Sequence, residues 1–130
     1  MKCSAHHMSF PVRDLAASKK FYGGFLGLEE IARPEVFSGF PGAWYEAGAA
    51  QVHLIQVEAE ADVGTPPESI NPMGRHCAFG VNNYSDALAS AIAADLQVFE
   101  TSEEMGQLWV KDPDGHVIEL IAPSPLLDTD

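Results

Sequence analysis

The chain has 130 residues, 46% of them hydrophobic, which is enough for one compact domain with a real core and too few for two large ones. Seven basic residues against nineteen acidic give a formal charge of −12, which repels phosphate backbones and makes nucleic acid a poor partner. No apolar run reaches the roughly eighteen residues of a membrane span and no leader pattern opens the chain, so no membrane partner is expected; Cys3 and Cys77, in no CxxC pairing, read as reduced thiols of a cytoplasmic protein.

The first element is an alternating segment that opens at His7 and carries Phe10 and Val12 on the face opposite His7 and Ser9. Asp14 can accept from the free amides of a following helix, and Leu15, Ser18, Phe21, Tyr22, Phe25 and Leu26 have the spacing of its apolar stripe, which Gly27 stops. Three short strands are predicted next, at about 28–33, 43–47 and 51–57. Residues 59–74, acidic and holding Pro66, Pro67 and Pro72, have the composition of a linker or lid.

The same order then recurs. His76-Cys-Ala-Phe-Gly-Val81 aligns with His7-Met-Ser-Phe-Pro-Val12 at an offset of 69, Asn83 takes the capping place of Asp14, and Tyr84, Leu88, Ile92 and Leu96 continue a helical stripe. Strands follow at about 97–101, 107–111 and 117–122, with Asp112-Pro113-Asp114-Gly115 as the turn between the last two. Val52-His53-Leu54-Ile55 falls on Ile118-Glu119-Leu120-Ile121 at an offset of 66, and Trp44 and Trp109 recur at nearly that offset. The fold class is therefore α+β: two βαβββ modules in tandem, at about 4–58 and 75–123, expected to curve into one half-barrel, with a frayed tail from Pro123.

The duplication itself selects four residues, His7 and His76 on the first strand of each module and His53 and Glu119 on the last. Strand alternation sets them on one face, opposite Phe10, Val12, Val52, Leu54, Phe79, Val81, Ile118 and Leu120, so the helices should cover the apolar face and the four donors should line the concave one. Three imidazoles and a carboxylate suit one divalent ion of the Zn, Ni, Fe, Co or Mn type better than Ca or Mg. His6 should face away from His7, although a one-residue slip would exchange them, and His116, beside the tight turn, is expected to be exposed. Phe37, Phe40, Trp44, Tyr45 and Trp109 are candidates to line or lid a substrate pocket, or are ordinary core and loop-anchoring aromatics; Phe37 and Phe40 sit in a Gly/Pro-rich loop.

The stretches "HHMSFPVRDLAASKKFYGGFLGLEE", "PGAWYEAGAAQVHLIQ", "RHCAFGV" and "LWVKDPDGHVIELIAP" resemble the vicinal-oxygen-chelate superfamily, the glyoxalase, bleomycin-resistance and extradiol-dioxygenase group, over nearly the whole chain apart from linker and tail. The resemblance implies paired βαβββ modules with metal ligands on the first and last strands, positions held here by His7, His53, His76 and Glu119. It also implies a metal that binds two neighbouring oxygens of a small-molecule substrate, a lyase or isomerase of glyoxalase type with Glu119 as the base, and a homodimer. Two other outcomes stay open: an Fe(II) extradiol dioxygenase on His7, His76 and Glu119, and a non-catalytic binder of the bleomycin-resistance type. Glyoxalase I commonly has a glutamate at the position of His53 and a basic residue at that of Pro11, so this chain departs from its pattern; Arg13 and Arg75 remain candidates to hold a substrate carboxylate.

Overall fold

A computed structural model of the chain describes residues 1–127. It divides into two compact units, Met1–Thr65 and Pro66–Asp130. In the first, β1 (His7–Val12) leads to a short helix α1 (Leu15–Lys19), a wider helical turn over Lys20–Phe25, β2 (Glu29–Ile31), a single 3-10 turn (Glu35–Phe37), β3 (Gly42–Ala47) and β4 (Ala50–Gln56). In the second, β5 (Cys77–Gly80), α2 (Tyr84–Ala93), β6 (Phe99–Glu100), β7 (Gln107–Lys111) and β8 (Val117–Ile121) repeat the order. Each unit forms one four-stranded mixed sheet, ordered β1-β4-β3-β2 and β5-β8-β7-β6, and neither sheet closes into a barrel. β1 runs parallel to β4 and β5 parallel to β8, while the other pairings are antiparallel. The tandem βαβββ expectation is what the chain adopts.

The caps act as read. Asp14 accepts from the amide of Ala17 at 3.2 Å and Asn83 from that of Asp86 at 2.9 Å, each satisfying a donor that the first helical turn leaves orphaned. The first helix is nevertheless not one α-helix: past Lys19 it widens, with the Leu26 amide bonding back to Phe21 at 2.9 Å and that of Leu28 to Tyr22 at 3.0 Å. Gly23 lies in the widened turn beneath the Tyr45 ring, where a Cβ would stand 3.2 Å from its Cε1. Gly27 then adopts φ 70° and ends the turn.

Alternation sorts the side chains of each sheet. Phe10, Val12, Val52, Leu54 and Tyr45 are buried on the face that α1 covers, with Tyr22 stacked on Phe10 at 5.3 Å; each such side chain contributes about 1.5–3 kcal/mol of burial. Phe79, Leu108, Val110, Ile118 and Leu120 fill the corresponding face of the second sheet, on whose β7 α2 packs. Val81, expected with them, is only half-buried past the end of β5. Tyr45 is thus core, not pocket lining: burial first, and then the charge and hydrogen bond of Glu30, raise its phenol pKa.

Two sequence expectations need correction. The α2 stripe runs through Tyr84 and Ala91, leaving Ile92 at 65% exposure, because the packed face is turned by one residue from the Leu88–Ile92–Leu96 line. Nor does the chain fray from Pro123: Ser124 is buried, its hydroxyl donates to the Glu104 carbonyl at 2.5 Å and accepts from the Leu126 amide at 3.1 Å. Residues 128–130 of that expected tail lie outside the described ones. The acidic linker is partly built into the second unit, where Lys111 Nζ donates to the Pro67 and Glu68 carbonyls and Ile70 is buried with Trp109 and Val117. Among the described residues no helix is long and apolar enough to cross a membrane.

Candidate functional site

In the first unit, β1 and β4 lie side by side so that Ser9 pairs with His53 and His7 with Gln51, and β3 places Trp44 opposite His53. All of these share the face away from α1. The rings form a ladder: His7 stacks on His53 at 4.0 Å and 16°, and Trp44 covers the other side of His53 at 3.9 Å and 2°. Phe37 continues it at 5.6 Å from Trp44, and Phe40 stands 6.4 Å beyond. Held in that sandwich, His53 is buried and its Nε2 donates to Gln51 Oε1 at 2.8 Å, since an amide oxygen can only accept. Burial first, and then the neighbouring His7 and His6, lower its pKa to about 4, so the ring is neutral at pH 7 with a lone pair on Nδ1.

His6 does not face away from His7. It precedes β1, where strand alternation no longer applies, and its Nδ1 lies 2.7 Å from His7 Nδ1, a separation that requires one proton between two imidazoles. Arg13 also has a structural partner. Its guanidinium donates to the carbonyls of Glu58 and Ala61, fastening the start of the linker. Arg33, not singled out from the sequence, donates to the Phe37 and Phe40 carbonyls and lies 5.0 Å over the Phe40 ring, which sets the aromatic loop.

In the second unit the parallel strands β5 and β8 bring His76 to Glu119. His76 Nδ1 donates to the Gly74 carbonyl at 2.9 Å, and its Nε2 stands 2.8 Å from Glu119 Oε1. Glu119 is 5% exposed, and its second oxygen accepts from Gln107 Nε2 at 3.2 Å. A lone pair on Nε2 and a carboxylate oxygen at that separation must share a proton or a cation. Two donors each about 2.0–2.2 Å from one divalent ion and at right angles around it lie about 3 Å apart, so the pair has the spacing of neighbouring ligands. Trp109, the cross-strand partner of Glu119 as Trp44 is of His53, meets the His76 ring edge-on at 6.1 Å. Arg75, beside His76, is exposed.

The four donors therefore occur as two pairs, each built within one unit. Among the described residues no group of three or more His, Cys, Asp and Glu side chains is gathered in metal-binding geometry. The His76–Glu119 pair has the spacing and the donor types of a borderline divalent ion, unlike the all-oxygen shell of Ca or Mg, while His7 and His53 have the donor type but stand stacked face to face. Gln51 and Gln107 were missed in the sequence; each shares a strand and a face, at a spacing of two, with His53 or Trp109 respectively, and that alternation was the available signal. His116 is half-buried rather than exposed, with its amide held at 2.8 Å by Asp112 Oδ1; the same oxygen accepts from the Asp114 amide at 2.9 Å, and Gly115 takes φ 88° in that turn. Both cysteines are free, Cys3 exposed and Cys77 with its thiol pKa raised by burial.

Repeated βαβββ units, each with polar donors on the sheet face its helix leaves open, define a duplicated α+β class of protein. The family model of the Glyoxalase/Bleomycin resistance protein/Dioxygenase superfamily matches residues 4–120, and the chain belongs to that superfamily. A protein of Arabidopsis thaliana named Glyoxylase I 4 is 30% identical over 122 residues, covering 90% of this chain and 69% of that one. A glyoxalase/dioxygenase of Nostoc punctiforme superposes with a TM-score of 0.74 at 23% identity, over 92% of this chain and 90% of that one. A fosfomycin resistance protein of Listeria monocytogenes, crystallised with Mn(II) and 1S,2S-dihydroxypropylphosphonic acid, superposes at 0.72 with 18% identity and covers 97% of both chains. The two structural likenesses establish the fold alone.

Proposed function

We propose that the protein is a divalent-metal-dependent enzyme of glyoxalase type, a lyase or isomerase acting on a small molecule with two neighbouring oxygens, with His7, His53, His76 and Glu119 as the residues that would hold the metal. The observation that carries this reading is the buried Glu119, set 2.8 Å from His76 and steadied on its far oxygen by Gln107. The Mn(II) bound by the Listeria relative and the name of the Arabidopsis relative support the same direction. A bound divalent ion of the Zn, Ni, Fe, Co or Mn type supplies Lewis acidity, stabilising the enediolate-like charge that develops across the two oxygens.

The chain's own residues supply the rest. Glu119 is the sole carboxylate of the donor set; with Oε2 held by Gln107, Oε1 is the atom that would ligate and, when it dissociates, take a proton from the substrate carbon and return it. The Gly74 carbonyl keeps His76 protonated on Nδ1, which leaves Nε2 as its donor atom. Phe37, Phe40 and Trp44 on the first unit and Trp109 on the second are the candidates for substrate contact, and Arg75, exposed beside His76, or Arg13, which also fastens the linker, is the candidate to hold a substrate carboxylate. The two free thiols suit a cytoplasmic protein, and the open edges of each sheet, with the family resemblance, suit a homodimer.

A second reading has one observation in its favour. His53 is sandwiched between His7 and Trp44 with Nε2 bonded to Gln51, which leaves only Nδ1 to ligate; if that atom stays off the metal, His7, His76 and Glu119 have the two-histidine, one-carboxylate composition of an Fe(II) extradiol-type dioxygenase. The experiment is metal analysis of protein purified without added metal, followed by assay of hemithioacetals, epimerisable 2-substituted acyl compounds and catechols with Zn, Ni and Fe reloaded. Deuterium from solvent in the product supports the lyase or isomerase. Oxygen uptake with a catechol, supported by Fe alone, overturns it, and equimolar metal that survives joint His7→Ala and Glu119→Ala changes overturns the ligand set.

A further inference from the structure

We propose that Trp109 is a substrate-binding residue whose indole N–H donates a hydrogen bond to an acceptor oxygen of the bound molecule; the inference rests on the reading of the His76–Glu119 face given above. Trp109 is 5% exposed, and its Nε1 is the buried side-chain polar atom that has no hydrogen-bond partner among the described residues. Buried donors in folded proteins are almost always paired, so one left over beside a polar cluster calls for a partner, which on this proposal the ligand supplies. The surroundings leave the indole nothing to use. Its cross-strand neighbour Glu119 is engaged elsewhere, with Oε2 accepting from Gln107 and Oε1 set 2.8 Å from His76 Nε2. The remaining walls are apolar or edge-on rings: Ile70 and Val117 pack with it, and His76 and Phe99 meet it at 85° and 81°.

Indole N–H is a donor only, and it carries no charge. Its partner is therefore an acceptor oxygen, such as a carbonyl or an enolate-type oxygen, and not an ammonium or a purely apolar group. A neutral donor beside the carboxylate base favours the oxygen on which negative charge grows, because hydrogen bonds to charged acceptors are about twice as strong as those to neutral ones. Ile70 comes from the segment that Lys111 ties down through the Pro67 and Glu68 carbonyls, so the same strap that dries the ring strengthens the bond it can make to a ligand.

The chain has two tryptophans, so protein labelled with 15N in the indoles gives two N–H resonances, assigned with Trp44→Phe and Trp109→Phe. Metal-loaded protein is titrated with acetohydroxamic acid, a stable compound with two neighbouring oxygens. The expected result is a downfield shift and slowed solvent exchange of the Trp109 indole signal, with affinity about tenfold weaker in Trp109→Phe at unchanged metal content. Trp109→Phe removes the donor together with part of a buried ring, so its thermal stability is measured beside the affinity, and the resonance shift of the intact Trp109 indole carries the test independently of any loss of packing. An unmoved Trp109 signal with hydroxamate bound, equal affinity in Trp109→Phe, or no hydroxamate binding by metal-loaded protein overturns the inference. Metal content, measured separately, decides the reading beneath it.

Discussion

Gly42, at the start of β3, offers a quantitative test of how the aromatic loop and the His53 strand are fitted together. A Cβ on Gly42 would lie 2.2 Å from Arg33 Nη1 and 2.5 Å from the Leu54 carbonyl oxygen. The arginine can swing away, but it then gives up its bonds to the Phe37 and Phe40 carbonyls and its place over the Phe40 ring, a loss of about 1 kcal/mol for exposed groups. The Leu54 oxygen belongs to the β4 backbone next to His53 and has no rotamer to escape into, so strand displacement adds overpacking of about 1–3 kcal/mol. Gly42→Ala should therefore cost about 2–4 kcal/mol and lower Tm by on the order of 10 °C. Gly24→Ala is the control: nothing lies within 4 Å of its Cβ, and the turn is helical, so it should be neutral or stabilising by up to about 1 kcal/mol. Thermal and urea unfolding of both variants read this directly. Gly42→Ala within about 0.5 kcal/mol of the parent would refute the reasoning.

Because His53 titrates at about 4 when folded and near its ordinary 6.5 when unfolded, the unfolded chain binds the extra proton first. Stability is full above pH 6.5 and falls as pH drops toward 4, by up to about 1.4 kcal/mol per unit, and His53→Gln should flatten the urea-measured slope between pH 6.5 and 5. Glu119→Gln should lose proton-transfer rate by more than its loss of bound metal explains, because an amide can still ligate but cannot act as a base; a rate that merely tracks occupancy argues against Glu119 as base. His53→Glu, which restores the two-carboxylate pattern, should retain metal and leave glyoxalase-type activity equal or higher, as reloading and assay will tell. Light scattering at micromolar concentration should report a dimer, since each open sheet leaves edge strands exposed.

Much of the fold was legible because it is written twice. The offset repeats of His7 with His76 and His53 with Glu119 anticipate the two identical strand orders, and alternation correctly separates Phe10, Val52, Leu54 and Leu120 from the donors. What stayed hidden depends on a single residue's rotation or on small side chains. Alanine at position 91 gives no strong apolar signal, so the stripe was drawn through Ile92, one residue round the helix. The widened turn after Lys19 keeps Phe21 and Tyr22 both inward, which looks from periodicity like an ordinary amphipathic helix. The hold of Arg13 on the linker was not foreseen, because the carbonyls it meets belong to backbone, and backbone acceptors leave no mark in a sequence.

The parallel pairing of the first and last strands in each unit has a consequence for how the protein is made. His76 and Glu119 are 43 residues apart in the chain, and their contact closes only when β8 docks against β5. The first unit behaves alike, since β4 must leave the ribosome before His53 can reach β1. Loop-closure entropy makes these the costliest contacts to form early, so they belong to the end of folding rather than its nucleus. A nascent chain thus keeps the side chains of each pair apart until the last strand of that unit docks, and the two pairs are completed one after the other.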